Sequence, residues 1–220
     1  NLYIEINVMA YLNLNLVAVT VYCVAVLGND QSILLGLSNL YHLREIICFV
    51  CKLNLCCTLA ILFICLNIKV VGITGSVGKT STKEMIASVL AQKYNVLKTE
   101  GNFNNEIGLP LTIFKIRDEH EVAVLEMGIS DFGEMHRLAE MAHPDVCVIT
   151  NIGLCHLENL IDRDGILKAK TESFEHLTAN GIAVLNGDDD KLCTKTEVNG
   201  RSTVFYGLGE GKEIYATDVE

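Results

Sequence analysis

The chain has 220 residues, enough for one large domain or two small ones with a sizeable core. Its formal charge of −10 argues against a nucleic-acid surface, because neutralising phosphates needs clustered Lys and Arg. An acidic chain still binds a nucleotide if one pocket is locally positive and a divalent cation carries the rest, so small-molecule chemistry stays open. The nine cysteines show no paired C-x-x-C motifs at metal-site spacing, and no basic, cleavable leader is read at the start. They read as free thiols of a cytoplasmic protein acting as small hydrophobes.

Composition changes near Lys69. Before it the only charged residues are Glu5, Asp30, Arg44, Glu45 and Lys52, and six of the cysteines fall there. Residues 6–29 and 53–68 are uncharged runs, while Leu12-Asn13-Leu14-Asn15-Leu16 alternates as a strand would. A membrane helix needs about 20 apolar residues, and Lys52 and several Asn count against one here. Three readings of residues 1–68 stay open: a buried strand-rich lobe, a membrane anchor, or sequence that is no native domain, such as out-of-frame translation.

From Lys69 onward the pattern predicts a strand at Lys69–Thr74, a helix over 81–92, a strand at Val96–Lys98, a polar loop and an apolar helix over 111–116. A strand follows at 122–127, then a helix over 133–141, a strand at 146–150, a helix over 164–177, and strands at 182–185 and 203–206. Near-continuous apolar strands alternating with helices indicate an α/β fold, a parallel sheet flanked by helices, with ligands at the carboxyl ends of the strands.

The first strand runs into Gly72-Ile73-Thr74-Gly75-Ser76-Val77-Gly78-Lys79-Thr80 and then a helix. Gly75 and Gly78 let backbone N–H groups approach phosphate oxygens, and the helix start adds its positive end. Lys79 is placed to neutralise the β- and γ-phosphates, and Thr80 to ligate Mg²⁺. The general P-loop pattern G-x-x-x-x-G-K-S/T puts its first glycine at Ile73, whereas here it stands at Gly72; a chance glycine turn is the competing explanation. Thr74–Thr80 resembles the T-G-S/T-x-G-K-S/T loop of Mur ligases and relatives such as folylpolyglutamate synthases, which lack that first glycine too.

Asn102, Asn104 and Asn105 sit in a polar loop whose amides could read a peptide or sugar group, or simply shape an Asx turn. The string Thr99–Thr112 resembles the T-x-G-N-x-N-N-x-I-G-x-P-L-T loop of the Mur ligases that add D-alanyl-D-alanine to UDP-N-acetylmuramoyl-tripeptide. Glu126 ends an apolar strand, where a carboxylate can hold Mg²⁺ or merely face solvent; Glu126-Met127-Gly128-Ile129-Ser130 resembles the family's E-M-G-x-S. Ile149–His156 resembles I-T-N-I/V-G-x-x-H, in which the His binds a second Mg²⁺, so His156 becomes a candidate ligand. His136, His143 and His176 lack such a setting and read as structural or solvated. Lys170 stands where the family often carries a carbamylated lysine bridging to Mg²⁺; two solvated helix lysines, Lys168 and Lys170, are the alternative. Leu185–Asp189 resembles the family's L-N-x-D-D turn and reads as structural with a nucleotide-side role.

The resemblance covers about 69–220 and implies the central ATP-binding domain of a Mur ligase. It implies cytoplasmic, ATP- and Mg²⁺-dependent amide formation in peptidoglycan precursor synthesis, through an acyl phosphate of UDP-N-acetylmuramoyl-tripeptide that the D-alanyl-D-alanine amine attacks. The nucleotide-binding set it implies is Gly75, Ser76, Val77, Gly78, Lys79, Thr80, Ser81 and Asn151; the catalytic set is Lys79, Glu126, His156 and Lys170. The metal set is Thr80, Glu126, His156 and carbamylated Lys170, and the substrate loop is Asn102, Asn104 and Asn105. Residues 1–68 show nothing like the family's UDP-binding D-S-R and G-x-x-x-D-G-H patterns, and the chain stops before its G-x-H-N-x-x-N-A-L-A-A stretch. A fragment that holds Mg-ATP without completing turnover is therefore expected. A folylpolyglutamate synthase-like ligase and a non-catalytic Mg-ATP module, membrane-tethered or not, are the rivals.

Overall fold

A computed structural model describes residues 68–217. The readings offered for residues 1–68 thus lie, Ile68 excepted, outside the described residues. Among the described residues no helix is long and apolar enough to cross a membrane.

The frame is a seven-stranded sheet built from β1 (Lys69–Thr74), β2 (Val96–Lys98), β3 (Val122–Glu126), β4 (Val146–Ile149), β5 (Ile182–Asn186), β8 (Val204–Leu208) and β9 (Ile214–Ala216). Its order is β2-β3-β1-β4-β5-β8-β9, and every pairing is parallel. Parallel neighbours need crossovers, supplied from β1 to β5 by α1 (Lys79–Leu90), α2 (Gly108–Ile113), α3 (Glu134–Ala142), α4 (Leu157–Leu160) and α5 (Arg163–Thr171). A small hairpin, β6 (Glu197–Val198) with β7 (Arg201–Ser202), stands outside the sheet.

Burial explains the apolar runs. Ile73, Val122, Val124 and Val148 pack with Ala87 of α1, and Ile86 and Leu90 close the same cluster. Ala123 and Leu125, which alternate with them and point to the other face, are also fully buried, so the central strands are covered on both sides. Strand order reverses between β1 and β4: the chain leaves β1 toward β2 on one side and β4 toward β5 on the other. The carboxyl ends of that pair form the crevice in which such folds place ligands.

Three helix boundaries differ from the sequence pattern for local reasons. Helix α1 starts at Lys79 because Gly78, in the left-handed region, ends the turn before it. Helix α2 begins three residues early because the Asn105 Oδ1 accepts from the N–H groups of Ile107 (3.1 Å) and Gly108 (2.8 Å). Pro110 is tolerated there since first-turn N–H groups have no intrahelical partner. The helix expected over 164–177 splits into α5 and a 3₁₀ turn, Glu172–His176, where Thr171 Oγ1 donates to the Leu167 and Lys168 carbonyls and Ser173 Oγ to the Lys170 carbonyl. Such back-bonds compete with the helical ladder. Because Asn105 does the work of a cap, Asn105→Ala should cost about 1 kcal/mol in urea unfolding, with Asn105→Asp keeping most of it.

Candidate active site

The site forms where β1, β3 and β4 end. Gly75 has φ +147°, and a Cβ there would lie 1.8 Å from Thr150 Oγ1, so the β1–α1 turn fits against the β4 end only with glycine. Asn151 braces the turn: its Oδ1 accepts from the N–H groups of Ser76 and Val77, both at 3.0 Å. Thr150 Oγ1 donates to the Val77 carbonyl at 2.6 Å, and the Gly153 N–H donates to Ser76 Oγ at 2.8 Å. The β5 turn supports this second loop in turn. Asn186 Nδ2 donates to the Thr150 carbonyl (3.0 Å), and Asp189 accepts from the Ile152 N–H (2.8 Å).

Lys79 donates from Nζ to the Gly75 carbonyl at 2.9 Å, folding over its own turn. Thr80 and Ser81 occupy the first turn of α1, where N–H groups are unpaired and the helix end is positive. Both line an open cavity of about 460 Å³ together with Lys79, Asn102, Asn104 and Glu126.

Glu126 is the junction. It is 2% exposed, and its N–H donates to Thr99 Oγ1 at 2.9 Å. Its Oε2 accepts from Thr80 Oγ1 (3.1 Å), its Oε1 from Asn104 Nδ2 (2.9 Å). A buried carboxylate needs such partners, and a cation most of all. That cation is Lys83, 1% exposed, with Nζ 3.7 Å from Glu126 Oε2 and 3.3 Å from Glu84. Lys83 was not among the sequence candidates, yet it carried a signal: it falls with Ile86, Ala87 and Leu90 on the buried stripe of α1, an odd place for a charge.

The Asn-rich loop divides by role. Asn104 is wedged in place: its carbonyl accepts from the Gly128 N–H at 2.8 Å, and a Cβ on Gly128 would come within 2.9 Å of its Cγ. The Asn105 side chain is spent on α2, and Asn102 is exposed at the cavity rim.

The remaining candidates come near without closing on Glu126. His156 is exposed, with φ +53°, at the start of α4, and no hydrogen bond among the described residues ties it to Thr80 or Glu126. Lys170 on α5 is 1% exposed. Burial pushes its ammonium down to about 8, a Cys155 thiolate would pull it back up, and Lys79 lowers it further. Cys155 itself donates to Ser76 Oγ at 3.1 Å, a further tie between the loop after β4 and the β1 turn. Lys168 by contrast is exposed, with its ammonium over the Phe132 ring.

The family whose model matches is the Mur ligase middle domain, over residues 73–220. The chain is 45% identical over 154 residues to the UDP-N-acetylmuramoyl-tripeptide–D-alanyl-D-alanine ligase of Bacillus subtilis (strain 168), covering 70% of this chain and 33% of that protein. Its counterpart in Escherichia coli (strain K12) is 39% identical over 137 residues, 62% of this chain and 30% of that one. The chain therefore spans about a third of the length of the curated relatives it matches. Among solved structures, MurF from Acinetobacter baumannii superposes with a TM-score of 0.71 at 35% identity over 77% of this chain and 37% of that one. MurF ligase from Thermotoga maritima in complex with ADP gives 0.67 at 39% identity over 74% and 38%. A folylpolyglutamate synthase of Mycobacterium tuberculosis, at 17% identity and a TM-score of 0.54, covering 69% of this chain and 47% of that one, shares the fold alone. By the match over residues 73–220 and these relatives, the chain belongs to the Mur ligase family through its middle domain.

Proposed function

We propose that this chain supplies the ATP-binding centre of an ATP-dependent ligase that joins D-alanyl-D-alanine to UDP-N-acetylmuramoyl-tripeptide in the cytoplasm. The observation that carries the proposal is the Glu126 junction, which ties the first turn of α1, through Thr80, to the Asn-rich loop, through Asn104. The relatives named for that reaction are 39–45% identical over 137–154 residues, and one solved relative is in complex with ADP.

The donors fit Mg-ATP. Thr80 Oγ1 and Glu126 Oε2 are hard oxygens 3.1 Å apart, the spacing of adjacent ligands in an octahedron with bonds of about 2.1 Å. The glycine turn and helix start suit phosphate oxygens. Bound there, ATP would supply the phosphoryl group that activates the substrate carboxylate as an acyl phosphate, with Mg²⁺ neutralising charge.

This chain's own residues then bind and orient. Lys79 exchanges the Gly75 carbonyl for phosphate oxygens, and Gly75 through Ser81 cradle them, with Asn151 fixing the shape of the turn. Thr80 and Glu126 would hold the metal. His156, on the same loop after β4 as Asn151, would be the ligand for a second Mg²⁺. Lys170 is a buried amine whose free-base form is reachable near neutral pH, the form that takes up carbon dioxide as a carbamate and so becomes an oxygen ligand. Asn102, with Asn104 and Asn105 holding the loop behind it, faces the substrate. The atypical residues 1–68 remain a separate segment in this proposal, with the Mur domain taken as 69–220.

Calorimetric titration of Mg-ATP into the chain tests it. Wild type is expected to bind, and Lys79→Ala to bind about ten- to hundred-fold more weakly, the worth of one charged hydrogen bond. Equal binding by both would sink the assignment of this turn. In the longer ligase, phosphate release driven by glutamate instead of D-alanyl-D-alanine would favour the folylpolyglutamate-type rival.

A further inference from the structure

Read singly along the chain, His136, His143 and His176 carry no motif. The fold gathers them beside Glu175 on a face whose residues line no part of the nucleotide cavity. His136 is the third residue of α3, and Glu175 and His176 close the 3₁₀ turn after α5.

The donor atoms stand close to metal spacing, with the His136–Glu175 pair a few tenths of an ångström tighter. His136 Nδ1 lies 2.7 Å from Glu175 Oε2, and His176 Nε2 lies 3.3 and 3.4 Å from the two ring nitrogens of His136. One ligand atom from each of His136, Glu175 and His176 falls within 4.8 Å of the others. An ion bound at about 2.0–2.1 Å sets neighbouring ligand atoms roughly 3.0–3.4 Å apart. The His136 ring turns about a broad sp³–sp² torsion, so directing its lone pair at such an ion takes little energy. His143, its ring 6.0 Å from that of His176, stands behind the pair as a further imidazole.

Two more observations separate this cluster from an ordinary surface ion pair. A His–Glu pair accounts for His136 and Glu175, but not for a second imidazole nitrogen directed at the first. Burial, then the neighbouring His136, hold His176 below the usual histidine range. The backbone is also fixed: the Glu172 carboxylate accepts from the N–H groups of Gly133 (3.0 and 3.1 Å) and His136 (3.2 Å), seating α3 on the 3₁₀ turn.

We propose that His136, Glu175 and His176 form a site for a divalent transition metal of the Zn²⁺, Ni²⁺ or Co²⁺ class, which staples α3 to the 3₁₀ turn. Two imidazoles with one carboxylate suit these borderline ions and disfavour Mg²⁺, which takes oxygen ligands. The site is therefore chemically orthogonal to the Thr80–Glu126 oxygens. It adds a cross-link between the helix that follows the Glu126 loop and the turn that continues the Lys170 helix.

The test is titration of Ni²⁺ into the untagged, nucleotide-free chain by calorimetry, with Co²⁺ absorption as a second readout. Wild type should bind one ion saturably in the presence of excess Mg²⁺, and the Co²⁺ complex should show d–d bands without near-ultraviolet thiolate charge transfer. His136→Ala and His176→Ala should each weaken binding at least ten-fold, since even losing a group that only orients a ligand costs about 10–100-fold. Glu175→Gln, an isosteric change at an exposed side chain, should weaken it less and keeps the test sound if an alanine variant unfolds. Ni²⁺ at about a hundred-fold excess over the wild-type Kd should raise the wild-type Tm by about 5 °C or more and the His176→Ala Tm by about half of that or less. No binding by wild type overturns the proposal and leaves a plain ion pair. Binding that survives these substitutions, or that carries thiolate absorption from Cys48, Cys51 or their neighbours, overturns it as well.

Discussion

Gly75→Ala is expected to eliminate Mg-ATP binding and to lower stability by about 3 kcal/mol or more. Two independent costs act at that position. The backbone conformation there, with φ +147°, is one that residues with a Cβ adopt at a cost of about 1–3 kcal/mol. The added methyl would also sit 1.8 Å from Thr150 Oγ1 and 3.0 Å from Thr150 Cβ, atoms that belong to the end of β4 and cannot retreat without moving the strand. Relief of one cost without the other gives a sharper check. Gly75→Ala combined with Thr150→Ala removes the hydroxyl clash and leaves the backbone strain, so unfolding in urea should show part of the stability restored. Nucleotide binding should stay weak, because Thr150→Ala also removes the bond that Oγ1 donates to the Val77 carbonyl. A Gly75→Ala variant that binds Mg-ATP like wild type would mean that the turn adopts another shape in solution.

Lys83→Met carries the second large effect, about 3 kcal/mol of destabilisation read by urea unfolding. Methionine fills the lysine volume, so the loss is electrostatic: Glu126, 2% exposed, would lose its neighbouring cation. Breaking a buried pair from one side costs about 3–5 kcal/mol, and the low end applies because Thr80 and Asn104 still donate to the carboxylate. The double variant Lys83→Met, Glu126→Gln should recover most of that loss, since a neutral amide no longer demands a counter-charge. Additive losses in the double variant would show that Lys83 acts through packing and that its pairing with Glu126 matters little.

The sheet was legible because β1, β3 and β4 are largely buried on both faces and so read as unbroken apolar runs, while β5, open on one face at Ile182, is still apolar through Leu185. What escaped was short or exposed. Strand β9 is three exposed residues at the sheet edge, with no periodicity to read. The hairpin β6–β7 did carry a signal, Asn199-Gly200, whose positive φ values of +53° and +75° are those that such two-residue turns demand. The limits of α2 depended on a side chain, Asn105, reaching forward to the backbone, which pattern alone does not reveal.

The site divides along the same line. Residues contiguous in a motif, Gly75 to Ser81, were found because backbone geometry and chemistry coincide there. Lys83 lies only four residues beyond Lys79, but its meaning depends on burial, which emerges when α1 packs on the sheet. The Asn-rich string was found as a unit, while the division of labour within it, Asn104 to Glu126 and Asn105 to α2, is a property of the folded loop. The histidine cluster depends on α3 meeting a turn some forty residues later, and no local pattern encodes that meeting.

The bracing of the β1 turn by Asn151, Thr150 and Gly153 has a thermodynamic corollary. A loop left to find its shape on the ligand forfeits backbone and rotamer entropy at the moment of association, on the order of 1–2 kcal/mol for each residue ordered. Here Ser76 and Val77 are already held by bonds of 3.0 Å to Asn151, and Ser76 Oγ by the Gly153 N–H. Folding has frozen those degrees of freedom in advance, so the contact energy of an arriving polyphosphate appears as affinity instead of being consumed in making the cradle.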